Sequence, residues 1–570
     1  MFQQDPDPIA ASLLISALVA AIPIVLLFVL LGVFKVKAPF AALAALAVAI
    51  VLAIAGWRMP VVQTLSAAGA GIFYGIFPIL WILVNALWVY KLTVATPWSE
   101  VFGRTIRSVS NDLRILSILV AFCFGALLES LAGFGAPVAI SAAMLLAAGM
   151  KPLKAAMVSL LANTAPVAFG AVGTPIITAG NLTGIPYQEI GAYVGHQTPI
   201  LAAFVPLLLV LMADGRRGVR QTWPIAVVVG LTFAIFQWIS ATWISVELTD
   251  IIASLAGLAA AVLFLKVWQP SGREEALETL HTEREREFAM AGGPQATGSV
   301  GAGPVSDYVV SGEELAERAR GLTRARITMA LFPYLLVIVV FAIAKLIAPV
   351  KEWLTTTDIK IPWPGLSGEV LTIAGTPSTA TTYTLSWLSS PGSMLLICSL
   401  IVAFVYGIGL AGWGAEAWAT AHKMRYAFLT VASMLALAYV MNLSGQTITI
   451  GTWIAATGAL FAYLSPTLGW IGTAVTGSDT SANALFATLQ QSAAETAGID
   501  PTLLVAANTS GGVVGKMISP QNLTIAATAV GLVGRESDIL RKVLPWSIGL
   551  IIAMCLLVGL QSTVLAWMLP

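Results

Sequence analysis

The chain has 570 residues, of which 58% are hydrophobic and only 10% are charged. Soluble domains carry about 25% charged residues, so these charges are too few to cover the surface of a soluble chain of this length. The formal net charge of +1 excludes the strongly basic surface that nucleic acid requires. The cysteines and histidines are scattered without zinc-ligand spacing, so we expect no metal and no cofactor. The composition predicts a polytopic protein embedded in membrane lipid.

Hydrophobic runs long enough to cross a bilayer recur along the whole chain. A membrane-spanning helix needs about 20 mostly apolar residues. In chain order the runs are Ile9–Phe34, Pro39–Trp57, Ala70–Tyr90, Ile115–Leu128 with a continuation to Gly149, Ala155–Thr178, Ile190–Met212, Trp223–Ile244, Ile251–Val267, Ile327–Ile347, Ser393–Gly412, Tyr426–Met441, Ile450–Leu464, Gly469–Phe486, Leu503–Ile518 and Leu544–Leu569. They predict an all-α bundle of about 12–14 transmembrane passes, some of them re-entrant.

Two polar stretches interrupt this pattern. Residues 269–326 are rich in Glu, Arg, Gly and Pro, and predict a solvated cytoplasmic linker between an N-terminal half (residues 1–268) and a C-terminal half (residues 327–570). Val350–Pro391 is rich in Thr, Ser, Trp and Pro. Because loops rich in Lys and Arg stay in the cytoplasm, we expect this second stretch and the Glu247–Asp250 turn to face outside.

Two distant segments share residues at identical spacing. The matched positions are Asn163-Thr164, Gly170 and Pro175 in the first segment, and Asn508-Thr509, Gly515 and Pro520 in the second. A Gly-rich stretch precedes each segment at nearly the same distance, with Gly133 in the first stretch and Gly477 in the second. The pattern predicts two related halves, which we expect to have inverted topology.

The residue types in this repeat break helices. Gly, Pro, Asn and Thr free backbone polar groups, and a membrane tolerates those groups only where they line a cavity or are buried in protein. A matched pair of interrupted helices indicates the central binding site of a secondary transporter. We expect helix N-termini at the Asn163-Thr164 and Asn508-Thr509 breaks to attract an anion. The alternative is that the small residues only let helices pack closely.

Three ionisable residues lie in or beside these motifs, within apolar runs. A charge in the membrane usually marks a transport pathway, a proton relay or a counter-ion. Lys516 is expected to attract a carboxylate, or to pair with Asp479 when the site is empty, and Asp479 or Glu129 is expected to take up a proton. The alternative is a structural ion pair between kinked helices. A fourth ionisable residue, His196, is interpreted as a satisfied polar group at an interface.

These considerations give a candidate site. Substrate contacts are expected from Gly133, Gly135, Asn163, Thr164, Ser478, Thr480, Asn508, Thr509 and Lys516, and proton coupling is expected from Asp479 and Glu129. No catalytic residue is assigned, because the sequence shows neither an ATP-binding motif nor a hydrolase motif.

Four long runs of this sequence resemble the bacterial L-lactate permease family. They are Glu129–Ile140, Asn163–Gly170, Gly477–Phe486 and Ala507–Gln521. The likeness extends over essentially the whole chain and is weakest in the linker. It implies a multi-pass protein of the bacterial inner membrane that imports L-lactate, and D-lactate or glycolate, together with protons. It also implies kinship with a superfamily of ion transporters that have inverted repeats and re-entrant hairpins.

Two other functions fit parts of the pattern. A sodium-coupled carboxylate transporter would have the same architecture, with backbone carbonyls and Asn, Thr and Ser oxygens as ligands for the cation. An intramembrane enzyme would use Asp479 as its catalytic acid, and would need a second carboxylate or a metal on a facing helix. Transport of a small monocarboxylate remains the expected function, and no enzymatic activity is expected.

Overall fold

The structure, a computed structural model, describes residues 1–34, 36–107, 109–110, 112–133, 135–272, 321–533 and 535–570. Before the linker the α-helices are α1 (Leu13–Gly32), α2 (Ala38–Ala55), α3 (Val61–Tyr74), α4 (Trp81–Val94), α5 (Trp98–Arg107), α6 (Leu113–Leu116), α7 (Gly125–Ala132), α8 (Ala136–Ala147), α9 (Pro152–Ala162), α10 (Gly170–Thr183), α11 (Tyr187–Val194), α12 (Thr198–Ile239) and α13 (Thr249–Val267).

After the linker the α-helices are α14 (Arg324–Leu346), α15 (Ala348–Thr356), α16 (Pro391–Val405), α17 (Leu410–Lys423), α18 (Arg425–Ser444), α19 (Gln446–Ala455), α20 (Leu460–Thr476), α21 (Asp479–Ala497), α22 (Pro501–Gly515), α23 (Pro520–Ala529) and α24 (Glu536–Gln561). Short π- or 3-10-helical segments lie at Gly75–Leu80, Ser117–Phe124, Val167–Phe169, Ser240–Ile244, Thr379–Thr381, Lys516–Ile518 and Ala566–Met568.

The predicted all-α membrane architecture is confirmed. Within the described ranges, nine helices are long and apolar enough to cross a membrane, and a bent pair of helices at 152–183 raises the number to ten. Several of the other predicted passes are short or broken. Gly477, for example, divides the run Gly469–Phe486 between α20 and α21. The runs Ile190–Met212 and Trp223–Ile244 largely form one long helix, α12, which is bent at Gly215.

Helices from the two ends of the chain interleave in space. Helices α1, α3 and α4 pack against α19, α18 and α16, respectively. The two halves are therefore stretches of sequence whose helices share one hydrophobic core. The predicted linker falls mostly on residues 273–320, which lie outside the described residues, so the division at 269–326 stays a prediction.

Glycines with positive φ interrupt one pair of helices in each part of the chain. Gly133 (φ +46°) and Gly135 (φ +81°) separate α7 from α8. Gly477 (φ +79°) separates α20 from α21, and the next residue, Ser478, caps α21 by accepting a hydrogen bond from the Ser481 N–H at 3.3 Å. Only glycine adopts such positive φ values at little cost, so these sequences place helix ends inside the protein.

A second pair of breaks lies close in space to the first. In the first segment, α9 ends at Ala162, and residues Ala171–Gly173 have positive φ (+44°, +59° and +72°) before α10 becomes regular near Pro175. In the second segment, α22 gives way to the 3-10 turn Lys516–Ile518, and Pro520 begins α23. Both breaks thus come directly before the matched prolines, although the relation of the two halves by inversion stays a prediction.

The second polar stretch forms a small cap with the N-terminus. Strand β1 (Phe2–Gln3) pairs in parallel with β3 (Val370–Leu371), and β2 (Ile359–Pro362) pairs antiparallel with β4 (Thr382–Leu385). Beneath this cap lies a cavity of about 670 Å³ whose lining includes Tyr74, Tyr439 and Ile177 of α10.

Candidate functional site

A buried ion pair joins the two repeat segments. The Nζ atom of Lys516 donates a hydrogen bond to Oε1 of Glu129 at 2.5 Å. Both side chains are almost inaccessible to solvent, at 8% and 2% exposure. Gly170 packs directly on Glu129, since a Cβ atom at this glycine would lie 3.0 Å from Oε1. The predicted pairing of Lys516 with Asp479 in the empty site is therefore wrong, because Glu129 occupies the position next to the ammonium group.

Asp479 lies beside this pair at the first residue of α21. Its Oδ1 atom accepts a hydrogen bond from the Thr473 hydroxyl at 3.4 Å, and its Oδ2 atom has no hydrogen-bond donor among the described residues. Gly512 of α22 packs against the carboxylate so closely that a side chain there would collide with Oδ1. Lys516 and Asp479 line the same cavity, and the contact that the ammonium group makes is with Glu129, on a different helix from Asp479.

The ion pair and Asp479 line a small cavity between the breaks. Its volume, counted as the space open to the centre of a water molecule, is about 30 Å³. Six of the predicted site residues line it, namely Glu129, Gly133, Ser478, Asp479, Thr480 and Lys516. A water molecule needs about 10–15 Å³ of such space, so the cavity holds about two waters in this conformation. A carboxylate substrate requires the cavity to widen.

Asn508 and Thr509 were predicted to lie at a helix N-terminus, but both lie inside helix α22. Helix α22 continues through both residues, so the expected helix N-terminus at this position is absent and that prediction is wrong. The Asn508 amide donates to Oδ1 of Asn483 at 2.8 Å, and the Thr509 hydroxyl donates to the same oxygen at 3.1 Å. Local helix propensity here is overridden by packing against α20 and α21. Both side chains therefore connect α22 to α21 through hydrogen bonds.

Asn483 is the centre of this network, and the sequence analysis did not identify it. Its amide N–H groups donate to the Pro175 carbonyl at 3.0 Å and to the Thr509 hydroxyl at 2.9 Å. A single side chain therefore ties α21 both to α22 and to the kink of α10. Its position one helical turn after Asp479 was the available signal, since residues three and four apart share a helix face.

Asn163 and Thr164 lie at the C-terminal end of α9. The Thr164 hydroxyl donates to the Leu161 carbonyl at 2.7 Å, and Asn163 is the C-terminal cap of the helix. The predicted break is therefore present, but Asn163 and Thr164 lie at the end of the helix before it and not at the N-terminus of the helix after it. Asn163 is only 5% exposed, and neither polar atom of its amide has a hydrogen-bond partner among the described residues. Gly135 packs against Asn522 and Ile525 of α23, away from the small cavity.

Asp250 is a buried carboxylate that was expected in an external turn. It lies in the first turn of α13 and is 1% exposed. Gln237 of α12 donates through its Nε2 atom both to Oδ1 of Asp250, at 3.3 Å, and to the Ala165 carbonyl, at 3.0 Å. The preference of Lys- and Arg-rich loops for the cytoplasm predicts on which side of the membrane this residue lies. It does not predict whether the first turn of the next span is buried.

His196 lies apart from the small cavity and has a partner at each ring nitrogen. The Trp238 indole N–H donates to Nε2 at 2.9 Å, and Nδ1 lies 2.7 Å from the Ala192 carbonyl. An indole nitrogen can only donate, so Nε2 accepts and Nδ1 carries the proton. This agrees with the interpretation of His196 as a satisfied polar group.

Comparison with known proteins identifies the family. A family model described as L-lactate permease matches residues 16–565. The chain is 38% identical to an L-lactate permease of Bacillus subtilis, over 100% of this chain and 99% of that protein. It is 40% identical to the glycolate permease GlcA of Escherichia coli, over 97% of each.

Among solved structures, the YdaH transporter of Alcanivorax borkumensis overlaps 89% of each chain at 14% identity, with a TM-score of 0.46. The family assignment depends on the full-length matches in sequence, which include both repeat segments and the residues around the Lys516–Glu129 pair. The chain is a multi-pass membrane protein and belongs to the L-lactate permease family.

Proposed function

We propose that this protein imports L-lactate, and D-lactate or glycolate, by symport with protons. The named activities of the full-length relatives support the substrate class, since they are L-lactate permeases and a glycolate permease. The observation that carries the proposal is the buried Lys516–Glu129 pair, which lines a cavity between helix breaks.

Lys516 is the group that binds the substrate carboxylate. It is the only lysine or arginine that lines the small cavity within the described residues. A lactate or glycolate anion entering the cavity replaces Glu129 as the partner of the ammonium group. The hydroxyls of Ser478 and Thr480 at the start of α21 line the same space and are suited to bind the 2-hydroxyl group of the substrate.

Glu129 links substrate binding to proton uptake. Once the substrate displaces it, its carboxylate is a buried charge without a partner, which costs several kcal/mol. A proton on Glu129 removes that cost, so the anion and the proton bind together. Asp479 is the second acceptor, because its Oδ2 atom already has no donor and Lys516 is its nearby positive charge. Substrate and protons therefore cross the membrane together.

The cavity beneath the cap supplies a route to this site. Ile177 lines the large cavity, and Pro175, on the same helix, lines the small one. A short segment of α10, from Pro175 to Ile177, therefore contacts the small cavity at one end and the large cavity at the other. We propose that movement at the break in α10, where three consecutive residues have positive φ, opens the small cavity toward the large one.

The sodium-coupled alternative has no supporting observation in the described residues. The small cavity is lined by two carboxyl groups, those of Glu129 and Asp479, and by one ammonium group, that of Lys516. Buried carboxyl groups of this kind accept protons. We therefore assign the coupling ion as the proton, with Glu129 and Asp479 as its binding groups.

The test is uptake of labelled L-lactate into proteoliposomes under an imposed proton gradient in sodium-free buffer. The wild type should accumulate lactate and lose it when the gradient collapses. Glu129→Gln should lose accumulation while lactate exchange continues, because a neutral glutamine mimics the protonated carboxyl. Asp479→Asn serves as the parallel variant. Accumulation that requires sodium, or accumulation that is unchanged in both variants, would contradict the proposal.

A further inference from the structure

The residues that line the small cavity fall into a polar group and an apolar group. The polar group consists of the Lys516–Glu129 pair and the side chains at the start of α21. The apolar group contains, besides three glycines, Leu83, Val167, Ala171 and Pro175. Among the described residues, Leu83 and Val167 carry the branched aliphatic side chains of this group. The space that receives a carboxylate is therefore also bounded by buried hydrocarbon.

Leu83 lies in the first turn of α4, at the boundary between the two cavities. Helix α4 packs against α7, which carries Glu129, and against α10. The neighbouring residue Ile82 lines the large cavity, whereas Leu83 lines the small one and is 2% exposed. The Leu83 side chain is thus a fixed part of the wall of the small cavity on the side of α4.

Val167 supplies apolar surface from a different element. It begins the 3-10 turn Val167–Phe169 in the break between α9 and α10, and it is also buried. Three residues later, Gly170 packs directly on Glu129. Side chains such as Leu83 and Val167 offer no hydrogen bond, but they stabilise an apolar group that leaves water to contact them.

We propose that Leu83 and Val167 form the subsite for the C3 methyl group of lactate, and that they set the size of the 2-hydroxy acid that the protein accepts. This inference rests on the proposed function, because it needs the substrate carboxylate on Lys516 and the 2-hydroxyl group on Ser478 or Thr480. The methyl group is then the remaining substituent of lactate, and the apolar residues are its remaining neighbours. Glycolate has no methyl group and leaves this subsite empty.

The subsite limits the length of the substrate because the cavity is small. Its volume is about 30 Å³ in this conformation, and it has to widen for any carboxylate. The proposed movement lies at Ala171–Gly173, whereas Leu83 is on α4 and Val167 precedes those residues. One methylene group in a hydrophobic pocket changes binding by about 10–200-fold. Acids that differ by a single carbon should therefore be distinguished here.

The experiment compares three acids as inhibitors of labelled L-lactate exchange. Glycolate, unlabelled L-lactate and L-2-hydroxybutyrate are added to proteoliposomes that contain the full-length protein and have no ion gradient. In Leu83→Ala the ratio of the half-inhibitory concentration of 2-hydroxybutyrate to that of lactate should fall by about tenfold, because the shorter side chain leaves room for another carbon. The ratio of glycolate to lactate should also fall, because the methyl group of lactate loses its packing.

Leu92→Ala is the matched control, since it makes the same change on the same helix. Leu92 is completely buried, but it lines neither of the two cavities. Any general effect of shortening a buried leucine of α4 is therefore present in this variant, and both ratios should keep their wild-type values. Wild-type ratios in Leu83→Ala would overturn the inference.

A second variant decides the question where Leu83→Ala does not fold. Val167→Ala shortens the other side chain of the subsite, so the ratio of 2-hydroxybutyrate to lactate should again fall. Wild-type ratios in this variant would then overturn the inference. Failure of the proposed function gives a different result. A wild type that exchanges no lactate would refute that function and the subsite with it, whereas unchanged ratios with normal exchange refute the subsite alone.

Discussion

Lys516 donates a hydrogen bond to Glu129 across 387 positions of sequence, and this contact joins the second repeat segment to the first. Removing one partner of such a buried ion pair strongly destabilises the folded protein, whereas replacing both partners with neutral residues does not. We propose that the same contact has two roles: it holds the helix breaks together, and it keeps the ammonium group buried at the position where a substrate carboxylate would bind. The two roles can be separated by mutation.

Lys516→Met should lose lactate binding and also lower stability. The substitution leaves Glu129 buried without its partner, which costs about 3–5 kcal/mol when the carboxylate stays charged. The double variant Lys516→Met/Glu129→Gln should recover most of the lost thermal stability but none of the binding. Thermal unfolding in detergent and calorimetric titration with lactate measure the two effects. Wild-type affinity in either variant would refute the role of Lys516.

Gly512→Ala should disturb the site through packing alone. A Cβ atom at this position collides with Oδ1 of Asp479 and lies 2.7 Å from the Thr473 hydroxyl oxygen. Overpacking a buried position costs about 1–3 kcal/mol, and here the carboxylate must move to relieve it. We expect lower thermal stability and reduced uptake.

The control is Gly549→Ala, in the middle of α24, where a Cβ atom meets no other atom within 4 Å. Alanine is the better helix former, so this variant should be at least as stable as the wild type. Equal behaviour of the two alanine variants would show that the close packing of Gly512 on Asp479 has no consequence.

Asn483→Leu should be among the most damaging neutral substitutions near the site. It removes the partner of the Asn508 amide, the Thr509 hydroxyl and the Pro175 carbonyl. Each buried polar group left without a partner costs about 1–3 kcal/mol. Thr496→Ala, which removes an exposed hydroxyl from the same helix α21, is the control and should be nearly silent. Thermal unfolding compares the two variants.

The sequence predicted the membrane-spanning helices and several residues of the small cavity better than the contacts among those residues. Apolar runs and isolated charges are local features, so the spans could be inferred from them, as could the choice of Glu129, Asp479 and Lys516, which line one cavity. Which carboxylate contacts Lys516 depends on how the four helix breaks are arranged in space. The spacing of residues along the chain does not determine that arrangement. For the same reason, the pattern around Asn508 indicated a break, although packing keeps α22 continuous there.

His196→Gln should leave proton coupling intact. The indole N–H of Trp238 requires His196 to accept at Nε2, so the neutral ring already has a partner at both nitrogens. A proton added at Nε2 would break that hydrogen bond and place two donors face to face. The ratio of protons to lactate taken up by proteoliposomes should therefore equal that of the wild type, whereas Glu129→Gln should change it. Lactate exchange without accumulation in His196→Gln would move the coupling site from the carboxyls to this histidine.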